Sequence, residues 1–199
     1  VQNVISWTAI ISGCIDYSFN KEALNYFEQM QESGISPNGV TFMLILKVFS
    51  SLKDLDKGQI IHCDMTKRGL LEIDFNIGST LIDMYVKCGS LTGAQAVFDT
   101  LPILAQNVFA WTALITGYVE HQRCEEALFH LEKMQNKGIL PTPVTFICGL
   151  ISCGILRTLD RAHEKHLEII KRGLERDMMI GNTLVDMYAK CGSLAEAEV

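Results

Sequence analysis

His163 and His166 stand three residues apart in a stretch with helical periodicity, a spacing that could aim both rings at one metal ion. The rest of a metal site is missing. No third ligand lies nearby, and an internal copy of the segment keeps His62 in place of His166 but has Gln59 where His163 stands. They read as two ordinary surface histidines. Cys14, Cys63, Cys88, Cys124, Cys148, Cys153 and Cys191 form no Cys-x-x-Cys pair. An odd count with no secretory signal points to reduced thiols acting as small buried apolar side chains. Zinc-dependent deamination of a base needs His-x-Glu followed by Pro-Cys-x-x-Cys, and neither block occurs. Asp83 and Asp186 recur at matched positions of separate segments, not as a facing acid–base pair. No catalytic residue, metal site, cofactor or small-molecule substrate is expected.

Composition narrows what the remaining polar residues can do. The formal net charge is −6, so counterion release from phosphates can supply little affinity, and any nucleic-acid contact must rest largely on the bases. Apolar residues make up 48% of the chain with four prolines, which argues against disorder. No run of about 18 apolar residues occurs, so no membrane-spanning helix is expected. The opening Val1-Gln2-Asn3-Val4 has neither the charge nor the apolar run of a signal peptide.

The chain repeats itself. Trp7-Thr8-Ala9, Gly13, Glu22-Ala23-Leu24, Met30-Gln31, Gly34-Ile35, Pro37 and Val40-Thr41-Phe42 recur from Trp111 to Phe146, always 104 positions on. Asp83-Met84-Tyr85 and Lys87-Cys88-Gly89-Ser90-Leu91 recur 103 positions on, ending at Leu194, so one residue is lost near the counterpart of Leu71–Asp74. Each third of the period holds two helical patterns. Ala23, Leu24, Phe27 and Met30 share one face, repeated by Ala127, Leu128, Leu131 and Met134. Gly34 and Gly138 are expected as left-handed C-caps, followed by Pro37 and Pro141, which cannot continue a helix. Similar stops fall at Gly69 and Gly173 behind Lys67-Arg68 and Lys171-Arg172. No segment alternates as a strand does. Two helices per 33–36 residues make a hairpin that cannot bury its apolar faces alone, so the hairpins must stack.

The residues of these hairpins resemble the pentatricopeptide repeat. Val4 to Gly13, then Glu22-Ala23-Leu24, Phe27, Met30, Gly34-Ile35 and Pro37-Asn38, are similar to its ordinary form. Residues 39–74, with Gly58-Gln59-Ile60-Ile61-His62 and Lys67-Arg68-Gly69, resemble the long form. Residues 75–107, with Leu81-Ile82-Asp83-Met84-Tyr85 and Lys87-Cys88-Gly89, resemble the short form, with about two extra residues around Ile103-Leu104-Ala105. The triplet then repeats as 108–142, 143–177 and a short repeat over 178–199 that stops in mid-helix. The chain resembles a piece of a longer array. A tetratricopeptide repeat would need Trp-x-x-Leu-Gly-x-x-Tyr, whereas Trp7 is followed by Thr-Ala-Ile-Ile.

The resemblance implies an all-α, right-handed α-solenoid superhelix that reads single-stranded RNA one base per repeat. Alternating ordinary, long and short repeats resemble the plant subclass engaged in organellar RNA editing, which implies a mitochondrial or chloroplast setting. The base-reading residues implied are the fifth and last of each repeat: Thr8 with Asn38, Ser79 with Asn107, Thr112 with Thr142, and Asn182. Thr8/Asn38 and Ser79/Asn107 are adenine-like. Threonine at 142 lacks the fixed donor–acceptor pattern of an amide. Met43 with Asp74 and Ile147 with Asp177 are weak or spacer positions, because an apolar side chain cannot hydrogen-bond a base. Second residues Ile5, Val40, Asn76, Phe109, Val144 and Met179 would sandwich the bases, although helix packing explains Ile5, Val40 and Val144 equally well. The long repeats also resemble those that bind accessory editing-factor proteins, a second expected partner.

Overall fold

The computed structural model describes residues 3–193; Leu194 and the rest of the expected last short repeat lie outside the described residues. Twelve helices and no strand occur among the described residues, and the chain divides into two compact units, Val1–Gln106 and Asn107–Val199. The first unit holds α1 (Val4–Asp16), α2 (Asn20–Glu32), α3 (Gly39–Leu52), α4 (Leu55–Lys67), α5 (Leu70–Ile73), α6 (Phe75–Lys87) and α7 (Leu91–Thr100). The second holds α8 (Val108–Glu120), α9 (Cys124–Asn136), α10 (Pro143–Leu156), α11 (Leu159–Lys171) and α12 (Met178–Cys191).

Polar caps and glycines set the helix limits. Asn3, Asn38, Asp74, Asn107, Thr142 and Asp177 each precede a helix and accept a backbone N–H of its first turn with their side chains. Such a cap satisfies a donor that the helix itself cannot. At the other end, Gly34 and Gly138 have φ of +72° and +73°, a conformation that favours glycine.

One helix organises each unit. Phe42, Ile45, Leu46, Val48 and Phe49 are all buried, and they take up most of the circumference of α3. No single partner can cover such a helix, and α3 packs against α1, α2, α4 and α6. Helix α10 does the same with α8, α9, α11 and α12, burying Phe146, Cys148, Leu150 and Cys153. Phe42 and Phe146 are also covered by arginine: the Arg68 and Arg172 guanidinium groups lie 5.2 and 5.3 Å from the ring centroids. The two basic pairs therefore supply cation–π contacts as well as charge at a helix end. The residue lost between the copies is also located. Leu70–Ile73 forms α5, whereas the second copy closes with a turn in which the Asp177 N–H donates to the Leu174 carbonyl at 3.1 Å.

Close packing joins α6 to α7. A Cβ on Gly93 would stand 2.4 Å from Cδ1 of the buried Tyr85 ring. Alanine gains up to about 1 kcal/mol in helix propensity, but displacing a packed ring costs about 1–3 kcal/mol. Gly93→Ala is therefore expected to lower the urea unfolding midpoint, by about 1 kcal/mol in unfolding free energy; an unchanged or raised midpoint would show that the ring yields.

Candidate nucleic-acid interface

The helices that follow the polar caps carry the candidate residues in a constant register. Ile5, Val40, Asn76, Phe109, Val144 and Met179 are the second residues of α1, α3, α6, α8, α10 and α12. All six are exposed, Ile5 at 72% and Phe109 at 62%. Core packing therefore does not account for the apolar members of this set. Thr8, Met43, Ser79, Thr112, Ile147 and Asn182 are the fifth residues of the same helices. They stand one turn further on, half-buried except for the exposed Asn182. In the first unit α1 packs on α3 and α3 on α6, which ranks Thr8, Met43 and Ser79 along neighbouring helices.

The hydroxyls at these fifth positions are tied to their own backbones. Thr8 Oγ1 donates to the Val4 carbonyl at 2.7 Å, Thr112 Oγ1 to the Val108 carbonyl at 2.7 Å, and Ser79 Oγ to the Asn76 carbonyl at 2.8 Å. Met43 and Ile147 bring no hydrogen-bonding group.

The candidate last residues Asn38, Asp74, Asn107, Thr142 and Asp177 are all N-caps. Asn38 Oδ1 accepts the Thr41 N–H and the Thr41 hydroxyl, each at 2.9 Å. Only the amide oxygen can accept an N–H, so capping turns Nδ2 and its two protons away from the helix. Asp74 caps with one oxygen, accepting from Asn76 N at 3.0 Å, and Asp177 accepts from Met179 N and Ile180 N at 2.9 and 3.1 Å. The second carboxylate oxygen of each is an acceptor not used by the cap. Asn107 accepts from Phe109 N and Ala110 N at 2.9 and 3.1 Å.

Among the described residues, hydrogen bonds within a unit join the candidate pair Thr8 and Asn38. Thr8 Oγ1 lies 2.8 Å from Thr41 Oγ1, which in turn bonds Asn38. In the second unit, Thr145 Oγ1 instead donates to the Thr142 carbonyl at 2.8 Å and lies 3.4 Å from Thr142 Oγ1. Ser79 belongs to the first unit and Asn107 to the second. Sequence reasoning missed Thr41; its signal was the recurring Val40-Thr41-Phe42 block.

Two expectations are corrected. His166 is not an ordinary surface histidine, because its Nδ1 lies 2.8 Å from the hydroxyl of buried Tyr188, and His163 packs its ring on the same tyrosine. The first copy repeats this with His62 Nδ1 2.9 Å from Tyr85 Oη. Nor are all the cysteines buried: Cys124, Cys148 and Cys153 are, whereas Cys63 is exposed. Burial pushes the Cys148 and Cys153 thiols up, which keeps them protonated and poorly nucleophilic. Among the described residues no cluster of three His, Cys, Asp or Glu could hold a metal, and no helix is long and apolar enough to cross a membrane.

The profile of the PPR repeat family matches residues 2–51 and 106–152, and that of the PPR repeat matches residues 79–102. The chain belongs to the pentatricopeptide repeat family. A pentatricopeptide repeat-containing protein of Arabidopsis thaliana is 35% identical over 196 residues, 98% of this chain and 33% of that protein. A chloroplastic one is 35% identical over 189 residues, covering 94% and 21%, and a putative mitochondrial one 35% over 196 residues, covering 98% and 31%. The chain thus spans a third or less of these relatives. The crystal structure of the pentatricopeptide repeat protein PPR10 in complex with an 18-nt psaJ RNA element superposes with a TM-score of 0.73 at 21% identity, covering 100% of this chain and 28% of that one. PPR10 from maize gives a TM-score of 0.59 at 20% identity, covering 100% and 33%. These likenesses establish the stacked-helix solenoid fold of the pentatricopeptide repeat for this chain.

The burial of His62 makes the stability of this pentatricopeptide repeat chain pH-dependent. Burial lowers the His62 pKa, so the unfolded chain binds a proton that the folded one resists. The stability contributed by neutral His62 is therefore complete above about pH 6.5 and is lost as pH falls through the lowered value. Unfolding free energy measured between pH 8 and pH 5 is expected to fall less steeply in His62→Asn than in the parent chain. Identical slopes would contradict this.

Proposed function

We propose that this chain binds single-stranded RNA in a base-selective way, one nucleotide per repeat, with repeats over 4–38, 39–74, 75–107, 108–142, 143–177 and from 178 onward. The observation that carries this reading is the joined pair Thr8 and Asn38, in which capping turns the Asn38 amide donors outward beside a threonine oxygen. Adenine presents an amino donor next to a ring-nitrogen acceptor on its Watson–Crick edge, which this pair complements. Exposed Ile5 and Val40 offer flat apolar contact to the faces of the same base. The net charge of −6 makes base contacts, not phosphate attraction, the main source of affinity. The solved likeness to a protein held in complex with RNA supports the same reading.

The ordinary, long and short alternation favours a factor of the plant editing subclass, acting in C-to-U editing or RNA processing. The chloroplastic and mitochondrial relatives support an organellar setting. A second reading concerns the long repeats. Val144 and Ile155 of α10 are about half exposed and share a helix face with Ile147 and Ile151. Such an apolar stripe suits an accessory protein better than a base edge.

Replacing Asn38 by aspartate keeps an oxygen for the cap but exchanges the outward donors for an acceptor, which suits the ring and amino donors of guanine. Asn38→Asp is expected to move the preference at one nucleotide from adenine to guanine by about tenfold in a competition series over the four bases. An unchanged preference would contradict the one-repeat, one-base assignment.

A further inference from the structure

Thr41 is fully buried, yet its hydroxyl links the two outward-facing groups of the first ordinary repeat. Four oxygens stand in a row: the Val4 carbonyl, Thr8 Oγ1, Thr41 Oγ1 and Asn38 Oδ1, at successive distances of 2.7, 2.8 and 2.9 Å. The two end oxygens can only accept, and the two hydroxyls have one proton each. Two protons must therefore serve three short contacts. In each arrangement that keeps both protons within the row, the Thr8 proton goes to Val4 or to Thr41 and does not point outward. Thr8 thus offers the base side a lone pair only, while Asn38 offers N–H donors only.

We infer that Thr41 is a positioning residue for base selectivity: its hydroxyl holds Thr8 as an acceptor and Asn38 as a donor without touching the base itself. This rests on the assignment of Thr8 and Asn38 as base readers proposed above. Losing the Thr41 hydroxyl would leave the Asn38 cap on the Thr41 backbone N–H intact. It would also leave the Val4 carbonyl as the one inward acceptor for the Thr8 proton, which then turns more readily to the base and blurs acceptor and donor. The second unit provides an internal contrast. Thr145 is equally buried, but its hydroxyl turns to the Thr142 carbonyl, and among the described residues no hydrogen bond joins it to Thr112.

The test is competition binding of the whole chain to RNAs that differ only at the nucleotide assigned to Thr8 and Asn38. Thermal melting of each variant is followed in parallel. Thr41→Val is expected to lower an adenine-over-guanine preference of about tenfold by several fold, with preferences at other nucleotides unchanged. Thr41→Ser keeps the hydroxyl and should keep the preference. Thr145→Val should leave the preference at its own nucleotide as it was. Thr41→Cys, with a weak donor of similar size, repeats the test if the valine variant does not fold, and is expected to lose selectivity. Full preference in Thr41→Val or Thr41→Cys, or equal loss in Thr41→Ser, overturns the inference. A parent chain with no preference at that nucleotide overturns the base-reading assignment itself, and this inference with it.

Discussion

Each unit depends on a helix too apolar for any one neighbour to cover. Phe42, Ile45, Leu46, Val48 and Phe49 take up most of the circumference of α3, leaving one exposed face that carries Val40, Lys47 and Ser51. Hydrophobic burial has no direction of its own, but here it requires helices on several sides at once. That requirement makes the hairpins stack instead of folding singly. It also places α1 and α6 on α3, and α8 and α12 on α10, so that their first turns lie alongside one another.

The N-caps convert this packing into a candidate reading surface. Asn38, Asp74, Thr142 and Asp177 each occupy the step between one helical hairpin and the next and spend an oxygen on the following helix. That bond keeps the side chain from rotating and decides which atoms face outward. Asparagine shows donors, aspartate an acceptor, and threonine a hydroxyl. A residue needed to start a helix is therefore also one whose chemical face toward a ligand is set. Stability and recognition draw on different atoms of the same side chain, so the capping role does not exclude the other.

Much of the fold was legible because repetition exposes spacing. The recurring Trp7 and Trp111 blocks, the glycines at 34 and 138, and the prolines behind them mark the hairpins in the sequence itself. What stayed hidden was contact between distant residues. The Arg68 stack on Phe42 spans 26 positions of sequence, and the basic residue was legible only as a charge at a helix end. The His62–Tyr85 and His166–Tyr188 bonds had the same cause: a histidine with no ligand partner nearby in sequence looks like a surface residue until the next helix packs against it. At the candidate site, the fifth and last positions could be named from the resemblance. The caps could not, because Asn38 and Thr142 act as caps only where the following backbone turns. Thr41 was masked by its own regularity, as it lies inside a block that reads as helix core.

The most direct measurement of the central claim, that register along the helices assigns one nucleotide to each repeat, is selection of bound sequences from a randomised RNA pool by the whole chain. The pool is expected to converge on an adenine, matching Thr8 with Asn38, next to an unconstrained nucleotide that matches the apolar Met43. Recovery of unselected sequence, or an adjacent nucleotide constrained as strongly as the adenine, would contradict it.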